Sequence, residues 1–265
     1  MNVEERQTMP KWLLPHVLGL DVAFAAFVWG CVCAAFRYTN VLGSGAMLLL
    51  AVAAWVCVMV VRIVRSVKAA DSRYAAFYRG HLSWLVPLVL CATLAALWML
   101  FFYVGRGLLS YAPYVLLLLF WGIVFRGGLL RSACRSLAFA VACYAPAFYY
   151  EFTTGPMLLF FSPQVWNVAG LFLLFNAHRT SAHTEHAKLI SLASLVWLMW
   201  LLISIYNAQP GASGFYCFMV LILACIHFIS WQVRKWGRDV SDALDWPLMA
   251  LAAVVGGLVF APDVF

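Results

Sequence analysis

Trp55 to His81 reads W-V-C-V-M-V-V-R-I-V-R-S-V-K-A-A-D-S-R-Y-A-A-F-Y-R-G-H. It opens as an unbroken apolar run, the composition of a membrane-spanning helix, and passes into a stretch in which a cation recurs every few residues. Arg62, Arg65 and Lys68 stand at the crossing. Three-residue spacing keeps neighbours in such a series close on a helix surface. A row of cations at the mouth of a membrane helix has two readings. One is a positive-inside anchor facing lipid phosphates. The other is a cradle for an anionic ligand such as a lipid diphosphate. The residues after Lys68 are expected to form a basic, aqueous loop.

Composition widens that local reading to the whole chain. Of 265 residues, 66% are hydrophobic and 10% charged. A soluble domain carries about 25% charged residues, and one of this size could not hide so much apolar surface. The chain is expected to be an all-α, multi-pass integral membrane protein. The first segment lacks a small-residue cleavage site of signal-peptide type, so it is read as a retained helix. The net charge of +7 does not indicate nucleic acid, because the basic residues lie between apolar spans. Seven of the eight cysteines lie inside apolar runs and no CxxC occurs, so neither a disulfide framework nor a zinc site is indicated.

About nine spans can be marked: Trp12–Phe36, Val41–Val61, Leu82–Val104, Leu108–Phe125, Leu137–Glu151, Gly155–Phe175, Leu189–Tyr206, Ser213–Trp231 and Leu244–Phe260. The fifth is short. With this count, fifteen of the seventeen basic residues fall on the side of the N-terminus, leaving Arg37 and Arg106 opposite. The positive-inside rule then puts the N-terminus in the cytoplasm and the C-terminus outside. Residues 1–265 are read as one polytopic domain. Two four-helix halves, 12–125 and 137–231, are followed by a ninth helix, 244–260.

Two further regions could carry chemistry. The sixth span empties into L-F-N-A-H-R-T-S-A-H-T-E-H-A-K, residues Leu174 to Lys188. It holds Asn176, His178, Arg179, His183, Glu185 and His186. The histidine spacings do not converge on one face of a regular helix, where metal ligands usually stand at i and i+4. A metal site, a solvated loop of histidines and the lining of a polar cavity all remain open. Asp21 lies about two turns into the first span. An intramembrane carboxylate is costly and is a functional candidate by default, unless it is protonated or paired with a neighbouring helix. His16 stands five residues away, about 140° round a continuous helix, and is expected to be a poor partner for it. Aromatics make up 16% of the chain. They suit interfacial belts, and Phe160, Phe161, Trp166, Phe172 and Phe175 would also suit a tunnel for an isoprenoid chain.

Taken together, these pieces resemble the UbiA prenyltransferase superfamily, in particular its divergent bacterial members. Some of those carry an A-W-x-x-Y-x-x-D-R-x-x-D pattern followed by an R-F-x-R-x-H-like loop. Here Ala54, Trp55, Arg62, Phe77, Tyr78, Arg79 and His81 stand in that order and approximate spacing. Leu174-Phe175-Asn176 is similar to the start of the family's second motif. The resemblance implies a nine-helix bundle in the bacterial inner membrane, with a site under the loops after the second and sixth helices. The departure lies at the family's metal-binding aspartates, where this chain has Val61 and Arg65. A hydrocarbon and a guanidinium cannot ligate Mg²⁺, which wants carboxylate oxygens. The expected protein is therefore a catalytically degenerate, UbiA-like binder of a lipid or isoprenoid. Its ligand-binding candidates are Arg62, Arg65, Lys68, Asn176, His178, Glu185 and Asp21. The alternatives are an atypical prenyltransferase, the one case in which Mg²⁺ is expected, and a small transporter or structural subunit working with another membrane protein.

Overall fold

The computed structural model describes residues 11–35, 45–68, 74–104, 110–124 and 128–151, together with 243, 244, 246, 247, 249–251 and 254. Among them every regular element is helical and no strand occurs. A single 3₁₀ turn, Lys11–Leu13, leads into α1 (Leu14–Val17), and after a break α2 runs over Leu20–Ala35. There follow α3 (Ala46–Lys68), α4 (Ala75–Met99), α5 (Ala112–Val124) and α6 (Gly128–Glu151). A π-helical turn, Leu100–Val104, extends α4.

The elements differ from the sequence expectation in instructive ways. The first span is not one rod: its two parts meet at 58°. The second span does not end at Val61, because α3 carries on through Arg62, Arg65 and Lys68. Ile63, Val64 and Val67 between the cations keep an apolar face there, so the cations do not end the helix. The expected aqueous loop shrinks for the same reason, since α4 starts at Ala75 and carries Phe77, Tyr78, Arg79 and His81 in its first two turns. The fifth span stays short as an apolar segment, Leu137–Pro146, but it is part of a longer helix. Its helix, α6, has 24 residues, and Arg131 and Arg135 lie on it.

In packing, α3 lies between α2 and α4, α5 pairs with α6, and α6 closes back on α2. Ala25, Ala26, Val28, Trp29, Cys31, Val32, Cys33 and Ala34 are all buried, while Leu20, Phe24 and Phe27 stay exposed along one face, so most of α2 packs against the other described helices. Gly30 allows this approach. A Cβ there would sit 2.7 Å from Met47 Sδ and 2.8 Å from Leu50 Cδ2, and small residues at such points let membrane helices close on one another. On α4 the pattern is inverted. Leu90, Leu94, Trp98 and Phe102 form an i, i+4 stripe that faces outward, with Leu94 66% and Phe102 73% exposed. A soluble protein hides such a stripe. A bilayer is the solvent in which it is stable outside. Among the described residues, α3 and α4 are long and apolar enough to cross a membrane, and the bent first segment makes a third if its two parts count as one span.

Candidate functional site

The break in the first segment sits at Leu18 and Gly19. Gly19 has φ = +70°, a left-handed conformation that side-chain-bearing residues adopt only at a cost of roughly 1–2 kcal/mol. Its missing side chain also makes room for α3, since a Cβ would stand 3.2 Å from Val58 Cγ1. The turn keeps two local bonds, Leu18 N–H to Leu14 O at 2.9 Å and Gly19 N–H to His16 O at 3.0 Å.

A broken helix leaves carbonyls without their usual donors, and in hydrocarbon each unsatisfied one costs several kcal/mol. Side chains from other helices supply the donors here. Trp55 Nε1–H on α3 donates to Leu18 O at 2.7 Å. Arg62, about 1.7 helical turns from the end of α3, donates through one guanidinium nitrogen to both His16 O and Val17 O, the latter at 2.9 Å. Tyr78 on α4 donates its hydroxyl to Val17 O. Three successive carbonyls are thus sewn to two neighbouring helices by three donors. Trp55, Arg62 and Tyr78 are among the residues that carry the family resemblance in the sequence, and here they brace a bend.

The same break overturns the expectation for His16. On a continuous helix it would lie well round from Asp21. The left-handed turn swings it back, so that His16 Nδ1–H donates to Asp21 Oδ2 at 2.7 Å, with the tautomer set by the carboxylate. Asp21 Oδ1 accepts the Val22 N–H at 2.9 Å. Both residues are only 7% exposed. Asp21 stands in the first turn of α2, where the helix dipole favours a negative charge. The ring of Tyr74 meets the His16 imidazole edge-on, 6.4 Å between centroids. Around this polar knot lies an apolar shell. Leu13, Val17, Met59, Tyr78, Leu85 and Val89 form its core, Trp55, Ile63 and Phe77 pack against it, and Ala243 joins it from the far end of the chain.

The other candidates fall outside this knot. Arg65 and Val61 are exposed on α3. Lys68 closes α3 as its last backbone residue. Phe77 and His81 stack at 4.4 Å on one face of α4, with His81 also bonded back to Phe77 O at 2.7 Å. Asn176, His178 and Glu185, the other half of the expected cavity, lie outside the described residues, as do the spans that flank them. Among the described residues no three His, Cys, Asp or Glu side chains converge as a metal site. Sequence reasoning missed the role of Gly19 and the partnership of His16. The available signal was L-P-H-V-L-G-L-D: a proline, then a glycine four residues on, then an aspartate at a helix start, all of them punctuation marks inside an otherwise apolar run.

Compared with known proteins, the chain matches no family model, no curated protein and no solved structure.

Proposed function

We propose that the chain is a multi-pass, UbiA-like protein of the bacterial inner membrane, with about nine spans and a cytoplasmic N-terminus. In this reading it binds a lipid or isoprenoid with an anionic headgroup at the mouth where α3 ends. The observation that carries the proposal is the adjacency of two chemistries. Arg62 and the exposed Arg65 stand three residues apart at the end of α3, next to an apolar shell lined by Trp55, Phe77 and Tyr78. Cations suit a phosphate-bearing headgroup, and the aromatic shell suits a hydrocarbon chain. Asn176, His178 and Glu185 would close the same mouth from the loop after the sixth span.

The donor set does not fit Mg²⁺ at this end. Val61 and Arg65 offer no oxygen ligand where the resemblance calls for aspartates, so binding without metal-assisted ionisation is the expected activity. The test has two arms. Mass spectrometry of lipids that co-purify with the protein should find an enriched isoprenoid or anionic lipid. Incubation with prenyl diphosphates and aromatic acceptors, with and without Mg²⁺, should give saturable binding and no turnover. Metal-dependent turnover lost on Asn176→Ala or Glu185→Ala would establish the prenyltransferase alternative instead.

A second reading rests on the buried His16–Asp21 pair. Broken membrane helices that present an ionisable pair are a recurring device of transporters. Reconstituted protein whose ion flux disappears in Asp21→Asn would favour it.

A further inference from the structure

Broken membrane helices that bind Na⁺ do so through the carbonyls that the break unwinds. At this bend those oxygens are already taken. His16 O accepts from Arg62 and the Gly19 N–H, Val17 O from Arg62 and Tyr78, and Leu18 O from Trp55. Gly19 O accepts the Ala23 N–H at 3.3 Å. Both carboxylate oxygens of Asp21 also hold a donor, His16 on one and the Val22 N–H on the other. A guanidinium is a permanent cation, and this one sits on two of the carbonyls while also bonding the Tyr78 hydroxyl, itself within Coulombic range of Asp21. The place a metal cation would occupy is filled by the protein's own positive charge.

One atom of the cluster keeps a lone pair to use. His16 is 7% exposed, and its Nδ1–H is committed to Asp21 Oδ2 at 2.7 Å. In the neutral ring Nε2 is then an acceptor, and among the described residues no group donates to it. A buried acceptor left in this way marks a point where water or a proton arrives.

We propose that the His16–Asp21 pair is a proton-binding site: Nε2 takes one proton from water and returns it to water, the imidazolium stays bonded to Asp21, and the ion handled here is H⁺ rather than Na⁺ or K⁺. The proposal rests on the transporter reading of this pair and names its ion. With His16 neutral, the charges of Asp21 and Arg62 cancel. The added proton makes the cluster cationic by one. The Asp21 carboxylate holds that charge and the Arg62 guanidinium opposes it, which is what a site that must both load and release requires. The other titratable groups that meet the cluster are Tyr74 and Tyr78, phenols rather than further carboxylates, so the exchange falls to the pair.

The experiment uses the full chain. In liposomes, proton flux is read by an internal pH-sensitive dye under an imposed pH gradient, with the potential clamped by valinomycin and equal K⁺. Uptake of radioactive sodium and rubidium is measured in parallel without the ionophore. In detergent, a nitrogen spectrum of histidine-labelled protein follows the His16 ring as the pH is lowered, its signal assigned by replacing the five other histidines one at a time. The expected result is a ring protonated on Nδ1 alone that converts to the doubly protonated form while the protein stays monodisperse. Proton flux should fall to the level of empty liposomes in Asp21→Asn and in His16→Gln. A His16 ring that keeps one proton at every pH at which the protein is folded overturns the proposal and leaves the pair a structural brace, whether or not the two variants fold. Proton flux that both variants keep overturns it as well. Sodium or rubidium uptake lost in Asp21→Asn, without proton flux, keeps the transporter reading and overturns the choice of ion. No protein-dependent flux of any of the three ions overturns the transporter reading and the proposal with it.

Discussion

Replacing Gly19 by alanine isolates the feature on which the described site depends. Gly19 has φ = +70°, so any side chain there carries a left-handed penalty of roughly 1–2 kcal/mol. The added Cβ would meet Val58 Cγ1 at 3.2 Å and Met59 Sδ at 3.7 Å. The first contact is tight by a few tenths of an ångström and adds a smaller repulsion. The sum is about 2 kcal/mol. For a chain of this size, that lowers the unfolding midpoint by roughly 4–8 °C. Gly80→Ala is the matched control. Gly80 lies within α4 and nothing stands within 4 Å of its would-be Cβ. Alanine should gain about 0.5–1 kcal/mol there from helix propensity. The assay is thermal unfolding of the purified variants in one detergent, followed by loss of the monodisperse chromatographic peak. A Gly19→Ala protein as stable as the parent would mean that the segment passes Gly19 as ordinary helix. The His16–Asp21 bond and the three braced carbonyls would fall with it.

Three more outcomes follow from the same geometry. Asp21→Ala should cost about 1–3 kcal/mol, because it strips the partner from buried His16 and the acceptor from Val22 N–H, while Asp21→Asn should cost less; unfolding midpoints of the two rank them. Trp55→Phe keeps the aromatic bulk but orphans Leu18 O, so a loss near 1 kcal/mol is expected, with a larger fractional gain in hydrogen exchange at the bend than elsewhere by mass spectrometry. Reporter fusions should place the segment around Arg73 and that around Arg179 inside and the C-terminus outside; an outside signal at either loop would break the proposed topology.

The fold was legible in the sequence where composition alone decides. Long apolar runs between basic segments predict helices and a membrane, and α3 and α4 are helices long and apolar enough to cross one. Helix ends were less legible. Val61 to Lys68 alternates apolar residues with cations, and nothing in that pattern says whether a helix stops at the first charge or at the last. Of the cluster at the bend, Asp21 and Arg62 were legible in the sequence, and their contacts were not. Asp21 and Arg62 stand out as charges in apolar surroundings, but their partners depend on one backbone angle at Gly19, and helical periodicity assumes that angle away. Trp55 and Tyr78 were read through a motif resemblance. Their bonds to the bend come from helix packing across 37 and 61 residues of chain, a relation that local pattern cannot express.

The donors that brace the bend also impose an order of events on biosynthesis. The carbonyls of Val17 and Leu18 leave the ribosome well before their partners, and Tyr78 follows Val17 by 61 residues. At about 5–20 residues per second this is a wait of roughly 3–12 s. During that interval the first segment faces lipid or the insertion machinery without α3 and α4. A continuous helix satisfies its own carbonyls, whereas a broken one leaves them bare in hydrocarbon. The nascent segment is therefore best accommodated straight, with Gly19 in ordinary helical geometry and His16 apart from Asp21. The break becomes stable once α3 has docked and its Trp55 and Arg62 reach the carbonyls. The bend is in this sense a mark of assembly with α3: a chain stalled or truncated before Trp55 would carry a straight first helix, and a quality-control protease able to sense that difference could tell the two apart at a single glycine.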